Sequence, residues 1–343
     1  MSGTSLDGVD AALVDLRSRP QLLGTVFVPY SRELRTALLA LQGPSRDELH
    51  RACVVGVRLS KLYAVAVSRL LRKSKINPRL VRAIGCHGQT VRHRPESQYT
   101  VQLGNPAALA EQSGIPVVAD FRSGDIAAGG QGAPLVPAFH AAVFRNSGVH
   151  RAIVNLGGIA NLTDLPRRAP VTGFDTGPGN VLLDAWIGWR LGGNLDRGGV
   201  LASRGRPHEP LLKALLSDPY FRRAPPKSTG RDHFNLDWLR RLGVARLKTE
   251  DVQATLAELT ARSVGSAVTR FCPGVREVYL CGGGARNSDL VRRIARALPA
   301  MTIASTAKLG IHPDWVEAMA FAWLAQRRLK GEAGNLREVT GAR

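Results

Sequence analysis

Asp175 stands in the run Gly173-Phe174-Asp175-Thr176-Gly177-Pro178-Gly179-Asn180, a carboxylate set among a threonine and turn-forming residues. A carboxylate at a strand end that faces an open cleft can take a proton from an attacking hydroxyl or water. The same pattern suits an Asx-turn, in which the side chain bonds only to backbone N–H groups downstream. The rest of the chain separates these readings. Glycine-rich turns occur at Ser2 to Gly8, Leu156 to Asn161 and Gly282 to Asn287. Glycine lets backbone N–H groups approach phosphate oxygens, so such turns can cradle a nucleotide. None carries the Gly-Lys-Ser/Thr of a P-loop or the dinucleotide G-x-G-x-x-G pattern. Singly, each reads more readily as a plain turn. Together, each following a strand or opening a hairpin, they describe a two-halved nucleotide clamp, beside which a proton-accepting role for Asp175 gains on the Asx-turn.

The elements that must position these groups follow from hydrophobic periodicity. Val9 to Leu16 reads as a strand after the opening Gly/Ser/Thr turn. Glu48 to Lys73 carries Leu49, Cys53, Val57, Leu62, Val65 and Leu70 at helix-like spacing, which predicts a long amphipathic helix. Short strands at Val81 to Gly85 and Pro116 to Ala119 run into Cys86-His87-Gly88-Gln89-Thr90 and Asp120-Phe121-Arg122. Loop composition dominates from Gly124 to Pro137, and a domain boundary just after it gives domains 1–143 and 144–343. The second half opens as the first does, with a strand Ala152 to Leu156, a turn Gly157 to Ala160 and a strand Asn161 to Leu165. A strand Glu277 to Cys281 then leads into Gly282-Gly283-Gly284, followed by helices near Ser288 to Leu298 and Asp314 to Lys330. The pattern is α/β in two related halves.

Composition narrows the function. At 343 residues and 44% hydrophobic content, the chain can bury a real core and more naturally forms two domains than one. Its net charge of +20 would suit a nucleic-acid binder. The basic residues are scattered, however, and no helix-turn-helix, zinc-finger or aromatic RNA-binding signature accompanies them. Arg58, Lys61, Arg69 and Arg72 read as a solvated helix face. Cys53, Cys86, Cys272 and Cys281 show neither paired nor metal-ligand spacing, which suits reduced thiols. No run resembles a signal peptide or a membrane span, so a cytoplasmic protein is expected.

Several longer segments make a family visible. Met1-Ser-Gly-Thr-Ser-Leu-Asp-Gly-Val-Asp10, Cys86-His-Gly-Gln-Thr-Val-Arg92, Thr100 to Pro106, Val118-Ala-Asp-Phe-Arg122 and Gly129 to Pro137 resemble anhydro-N-acetylmuramic acid kinases. So do Asn155 to Asn161, Gly173 to Asn180, Lys227-Ser-Thr-Gly-Arg231, Asp251 to Thr255, Cys281 to Asn287 and Trp315 to Trp323, in order and over nearly the whole chain. The resemblance implies the two-domain actin/hexokinase/Hsp70 (ribonuclease H-like) ATPase fold, an α/β class with mixed sheets, flanking helices and the nucleotide in the interdomain cleft. It implies that Gly3, Thr4, Ser5, Leu6, Asp7, Gly8, Val9 and Asp10 form the first phosphate hairpin, that Gly157 and Gly158 belong to the second, and that Gly283 lies under the adenosine. Asp175 matches the family's catalytic base, and Glu317 an acidic substrate-site residue. From pattern alone, Asp314-x-x-Glu317 is equally a capping box at a helix start.

Ser5, His87 and Arg122 are the further substrate candidates. His87, in a polar loop, suits a structural or hydrogen-bonding role better than that of a general base. Arg122 could grip a lactyl carboxylate with two parallel bonds, or pair with Asp120 or Asp125. The implied reaction opens the 1,6-anhydro bridge with water and transfers the γ-phosphoryl group of ATP to O6, giving N-acetylmuramic acid 6-phosphate in cell-wall recycling. Mg²⁺ would neutralise the phosphates, with no metal ligand assigned among the side chains. The expected partners are ATP and a small sugar, with no nucleic acid and no membrane, and a homodimer is the candidate assembly. Another sugar kinase of the same superfold, or a silent nucleotide-binding paralogue, are the alternatives. The family usually places an apolar strand before Met-Ser-Gly-Thr and a short return to the first domain after Val-Thr-Gly-Ala-Arg343. Without that strand, an exposed sheet edge and weaker ATP binding are expected.

Overall fold

Strand β1 (Gly8–Asp15) pairs antiparallel with β2 (Gln21–Pro29) in the computed structural model, which describes residues 1–3 and 6–343. Met1 returns onto β1 through two backbone bonds of 2.8 Å with Asp10, one in each direction. Four short strands follow: β3 (Ile84–Gly85), β4 (Gln89–Arg94), β5 (Tyr99–Leu103) and β6 (Val117–Val118). β3 pairs parallel with β6, and β4 antiparallel with β5.

The helix Glu48–Ser74 packs on β1 and β2, but on a different face from the one its spacing suggested. Val55, Leu59, Tyr63, Ala66 and Leu70 are buried, whereas Leu49 is 80% exposed, Val57 39% and Val65 41%. Apolar residues lie on opposite sides of this helix, so period alone could not choose between them. Tyr63 marks the buried side, because its hydroxyl lies 2.8 Å from the buried Ser2 hydroxyl.

Met1–Val143 and Trp315–Arg343 form one compact unit, and Phe144–Asp314 the other. Assigning all of 144–343 to a second domain is therefore corrected at its C-terminal end. The helix Val316–Leu329 packs against β1 and β3, and its Phe321 carbonyl lies 2.2 Å from where a Cβ on Gly85 would stand. Only glycine admits that approach. Farther on, Asn335 Nδ2 and Thr340 Oγ1 both donate to Asp125 Oδ1. The capping box is also corrected. Trp315 is the N-cap and makes no side-chain cap bond, while the Asp314 carboxylate pairs with Arg286 instead.

The other unit is built on β7 (Arg151–Leu156), β8 (Ile159–Leu165), β9 (Thr172–Pro178), β10 (Glu277–Cys281) and β11 (Thr302–Ser305). These form a five-stranded sheet in the order β11-β10-β7-β8-β9, with β10 parallel to both neighbours and the other pairs antiparallel. Val154, Leu156, Leu162, Phe174 and Leu280 pack in one buried cluster with Val264 and Val268 of helix Thr249–Phe271 and with Leu290 and Ile294 of helix Ser288–Ala297. Truncating any of these leucines to alanine would cost about 2–5 kcal/mol. The long helix also buries Val252, Leu256 and Leu259 in a second cluster with Trp186, Leu212 and Phe234. It is thus a core helix that holds β9 from behind.

Candidate active site

In the second unit the tight turn Gly157-Gly158 joins β7 to β8, and the end of β9 folds back over it. Gly179 N donates to the Gly158 carbonyl (2.9 Å) and Asn180 N to the Gly157 carbonyl (2.8 Å). A Cβ on Gly179 would lie 2.3 Å from the Gly157 oxygen, so the two backbones touch only because glycine is there. Gly282 has φ +78°, and a Cβ there would lie 2.3 Å from Asn155 Oδ1. A Cβ on Gly284 would lie 2.6 Å from Leu156 Cβ. Gly179 is therefore packed backbone-first on the Gly157 turn, and Gly282 and Gly284 on Asn155 and Leu156.

Asp175 belongs to this assembly through strand register. Cys281 pairs with Asn155, Asn155 with Asn161, and Asn161 with Asp175, so their side chains stand in one row across the sheet. The register shifts between Ala160 and Asn161, leaving Thr176 as the extra residue of a bulge. Bulges re-aim side chains, and they recur beside active sites. Asp175 thus lies within β9, not at a strand end. It is buried, and its Oδ2 accepts a 3.0 Å bond from the Thr229 N–H, on a separate segment of chain. An Asx-turn would have used N–H groups just downstream. The Asp175 backbone is held on both sides, its N–H donating to the Lys227 carbonyl (3.2 Å) and its carbonyl accepting from the Tyr220 hydroxyl (2.6 Å).

In the first unit, His87, Arg122 and Glu317 come together. Arg122 Nε and Nη2 lie 3.1 and 2.9 Å from His87 Nε2, and Nη1 donates to the Gly132 carbonyl at 2.7 Å. A guanidinium can only donate, so His87 Nε2 is the acceptor, and Nδ1 carries the proton it gives to the Gly88 carbonyl at 2.8 Å. Burial, reinforced by Arg122, holds the His87 pKa well below 6.5. The imidazole is neutral and its lone pair is engaged, so it orients Arg122 and is no general base. The alternative acidic partners of Arg122 have other bonds: Asp125 Oδ2 accepts from Gly132 N–H, and Asp120 Oδ1 from Ser123 N–H.

Glu317 is half-buried one turn before Phe321, whose ring lies 4.6 Å from that of His87. Burial raises its pKa, and the Arg122 charge pulls it back down. The opening turn is tied to the same loop, with Ser2 Oγ 3.0 Å from the Gly88 carbonyl and Gln89 Nε2 donating to the Gly3 carbonyl at 3.1 Å. Gly3 and Leu6 to Asp10 are described there, Leu6 being buried at φ +56°. Thr4 and Ser5 lie outside the described residues.

A family model described as anhydro-N-acetylmuramic acid kinase matches residues 1–343. The chain belongs to this family. The protein of that name from Thiobacillus denitrificans is 56% identical over 348 residues, covering 100% of this chain and 93% of its own. Those from Nitrosomonas europaea and Pseudomonas paraeruginosa are 54% and 53% identical, again over 100% of this chain and over 95% and 94% of theirs. The fold is accordingly the α/β ATPase fold of the actin/hexokinase/Hsp70 superfamily.

Sequence reasoning passed over the residues that hold the family's aspartate. Lys227 and Thr229 lie in a family-like segment that suggested no role for either, Tyr220 had none, and Asn161 stood only as the end of a phosphate-type turn. The available signal was polar: Asn155 and Asn161 each stand between apolar neighbours, and the buried Asn161 Oδ1 has no hydrogen-bond partner among the described residues. Gly283 yields a direct test of the adenosine assignment. A Cβ there meets no atom within 4 Å. Gly283→Ala is expected to melt like the wild type and to bind ATP roughly tenfold more weakly, a loss of about 1.4 kcal/mol. Calorimetric titration with ATP beside a thermal melt checks this, and unchanged affinity would move the adenosine elsewhere.

Proposed function

We propose that the chain phosphorylates 1,6-anhydro-N-acetylmuramic acid at O6 at the expense of ATP while opening the anhydro bridge with water. It is a phosphotransferase with an alcohol group as acceptor, and the family gives it its role in peptidoglycan recycling. The observation that carries the mechanistic reading is the buried Asp175 carboxylate, re-aimed by a bulge into a polar row next to backbone turns that only glycine can form. Asp175 accepts a proton from the water that bonds to the anomeric carbon. The bond from that carbon to O6 breaks, O6 bonds to the γ-phosphorus, and ADP departs. The proton on Asp175 then returns to solvent.

Gly157, Gly158 and the first hairpin offer N–H groups to the phosphates, and Gly283 leaves room for the adenosine. Arg122, locked by His87 and Gly132, receives the lactyl carboxylate, and Glu317 hydrogen-bonds sugar hydroxyls. Mg²⁺ suits this chemistry, since the row offers hard oxygen donors in Asp175 and in the unpartnered Asn161 Oδ1, which would hold its water shell. When bound, it neutralises phosphate charge. ATP use and free thiols support a cytoplasmic location. No helix among the described residues is long and apolar enough to cross a membrane.

Turnover in ¹⁸O-water tests the coupled reaction. The label is expected on the anomeric oxygen of product trapped early, before solvent exchange, with none in phosphate. Label in phosphate would reveal plain ATP hydrolysis, and an unlabelled early sugar would rule out opening by water.

A further inference from the structure

Behind β9, on the side of helix Thr249–Phe271, lies a cavity of about 600 Å³. It is of small-molecule size. None of its lining residues belongs to the glycine turns or to the polar row; from β9 it takes only the bulge residue Thr176. Its charge is one-sided. Arg222, Lys227, Arg262 and Arg270 line it, and no carboxylate residue does among those described. Arg262 is already engaged, at 3.1 Å from Glu258 and 3.2 Å from Glu209. Arg222 and Arg270 are exposed, and Arg270 lies against the Phe271 ring, 4.9 Å from its centroid.

Lys227 is the unusual member. It is 3% exposed, and its ammonium has one carbonyl partner, that of Tyr220 at 3.2 Å, and two ring faces, Tyr220 at 4.6 Å and Phe174 at 5.7 Å. No carboxylate pairs with it among the described residues. A buried ammonium surrounded by like charges is costly, and an anion beside it removes that cost. Burial first, then Arg223 and Arg270, push the Lys227 pKa down to about 8, with Asp175 acting in the opposite sense.

We propose that this cavity binds a small dianion, a phosphomonoester or sulfate-type group, held by Lys227, Arg222 and Arg270. A single compact cluster suits one terminal dianion better than a polyanion, which needs a row of cations along its backbone. Such a site would also report to Asp175, because the Lys227 carbonyl accepts from Asp175 N–H and the Thr229 N–H donates to Asp175 Oδ2. An occupant that draws on Lys227 therefore pulls on the segment that sets the aspartate.

Sulfate is the clean probe, since it does not titrate near neutrality. Calorimetric titration of the full chain, with Mg-ADP present to fill the glycine turns, is expected to show saturable binding of one sulfate. Lys227→Gln, which removes the buried cation, is expected to weaken that binding about tenfold or more. Arg222→Gln with Arg270→Gln, both on exposed side chains that leave the core intact, weakens binding about tenfold or more, the scale of a lost charge-assisted contact. Glucose 6-phosphate and AMP, run in parallel, distinguish a sugar-phosphate source from a nucleotide one by which binds more tightly than sulfate. No saturable sulfate binding to the Mg-ADP-bound protein, or binding unchanged in the double arginine variant, overturns the proposal.

Discussion

Asp175→Asn is expected to leave a folded protein that binds ATP with near-wild-type affinity and turns over anhydro-N-acetylmuramic acid at least about 10²-fold more slowly, the scale of lost general-base catalysis. The substitution is isosteric, and an amide oxygen can still accept from the Thr229 N–H, the 3.0 Å bond that fixes the side chain. The bonds that seat this residue in β9, from Tyr220 and to Lys227, involve its backbone and are untouched. What disappears is the basic lone pair. Circular dichroism, an ATP titration and steady-state turnover check the three parts of this expectation in turn. Near-wild-type turnover by a folded variant would take Asp175 out of the mechanism, and lost ATP binding would recast it as a nucleotide ligand.

The sequence made the glycine turns and Asp175 readable because their residue types are constrained by backbone contact. Gly179 and Gly282 have no room for a Cβ, so no other residue could stand there and leave the turn unchanged. The strands β7 and β10 were equally plain, being short, mostly apolar runs that lead straight into Gly157 and Gly282. Less was legible where a choice depends on distant chain. The buried face of Glu48–Ser74 is set by what Tyr63 and Leu59 meet, which period cannot reveal. Trp315–Arg343 joins the first unit because Gly85 admits the Phe321 backbone, a contact between residues more than two hundred positions apart in sequence. The neutral state of His87 follows from its burial and from Arg122, 35 positions away. Local pattern names the reacting groups, while the groups that aim them come from elsewhere in the chain.

Glu317→Gln is expected to move stability and activity in opposite directions. Burial raises the Glu317 pKa above its ordinary 4.5, so the folded protein holds this proton more tightly than the unfolded chain does. Between the unfolded and folded values the unfolded chain has lost the proton while the folded one keeps it. Stability therefore falls as pH rises through that window, and above the folded pKa the carboxylate's burial penalty is fully present. Glutamine does not titrate and escapes the penalty, so the variant should melt higher than wild type at pH 7 to 8. The gap should close as pH falls below 4.5, where both side chains are neutral. Activity runs the other way, because a charged acceptor is lost from the sugar site: kcat/KM for the anhydro-sugar should drop roughly 10- to 10²-fold, the range for a hydrogen bond to a charged group. The wild-type pH profile should carry an acid limb above the ordinary carboxylate range, and the variant should lack it. Paired melts and pH–rate profiles of the two proteins decide the matter. A variant that melts lower at pH 7.5 would mean that Glu317 is held by partners that outweigh its desolvation, and an acid limb that survives the substitution would belong to another group.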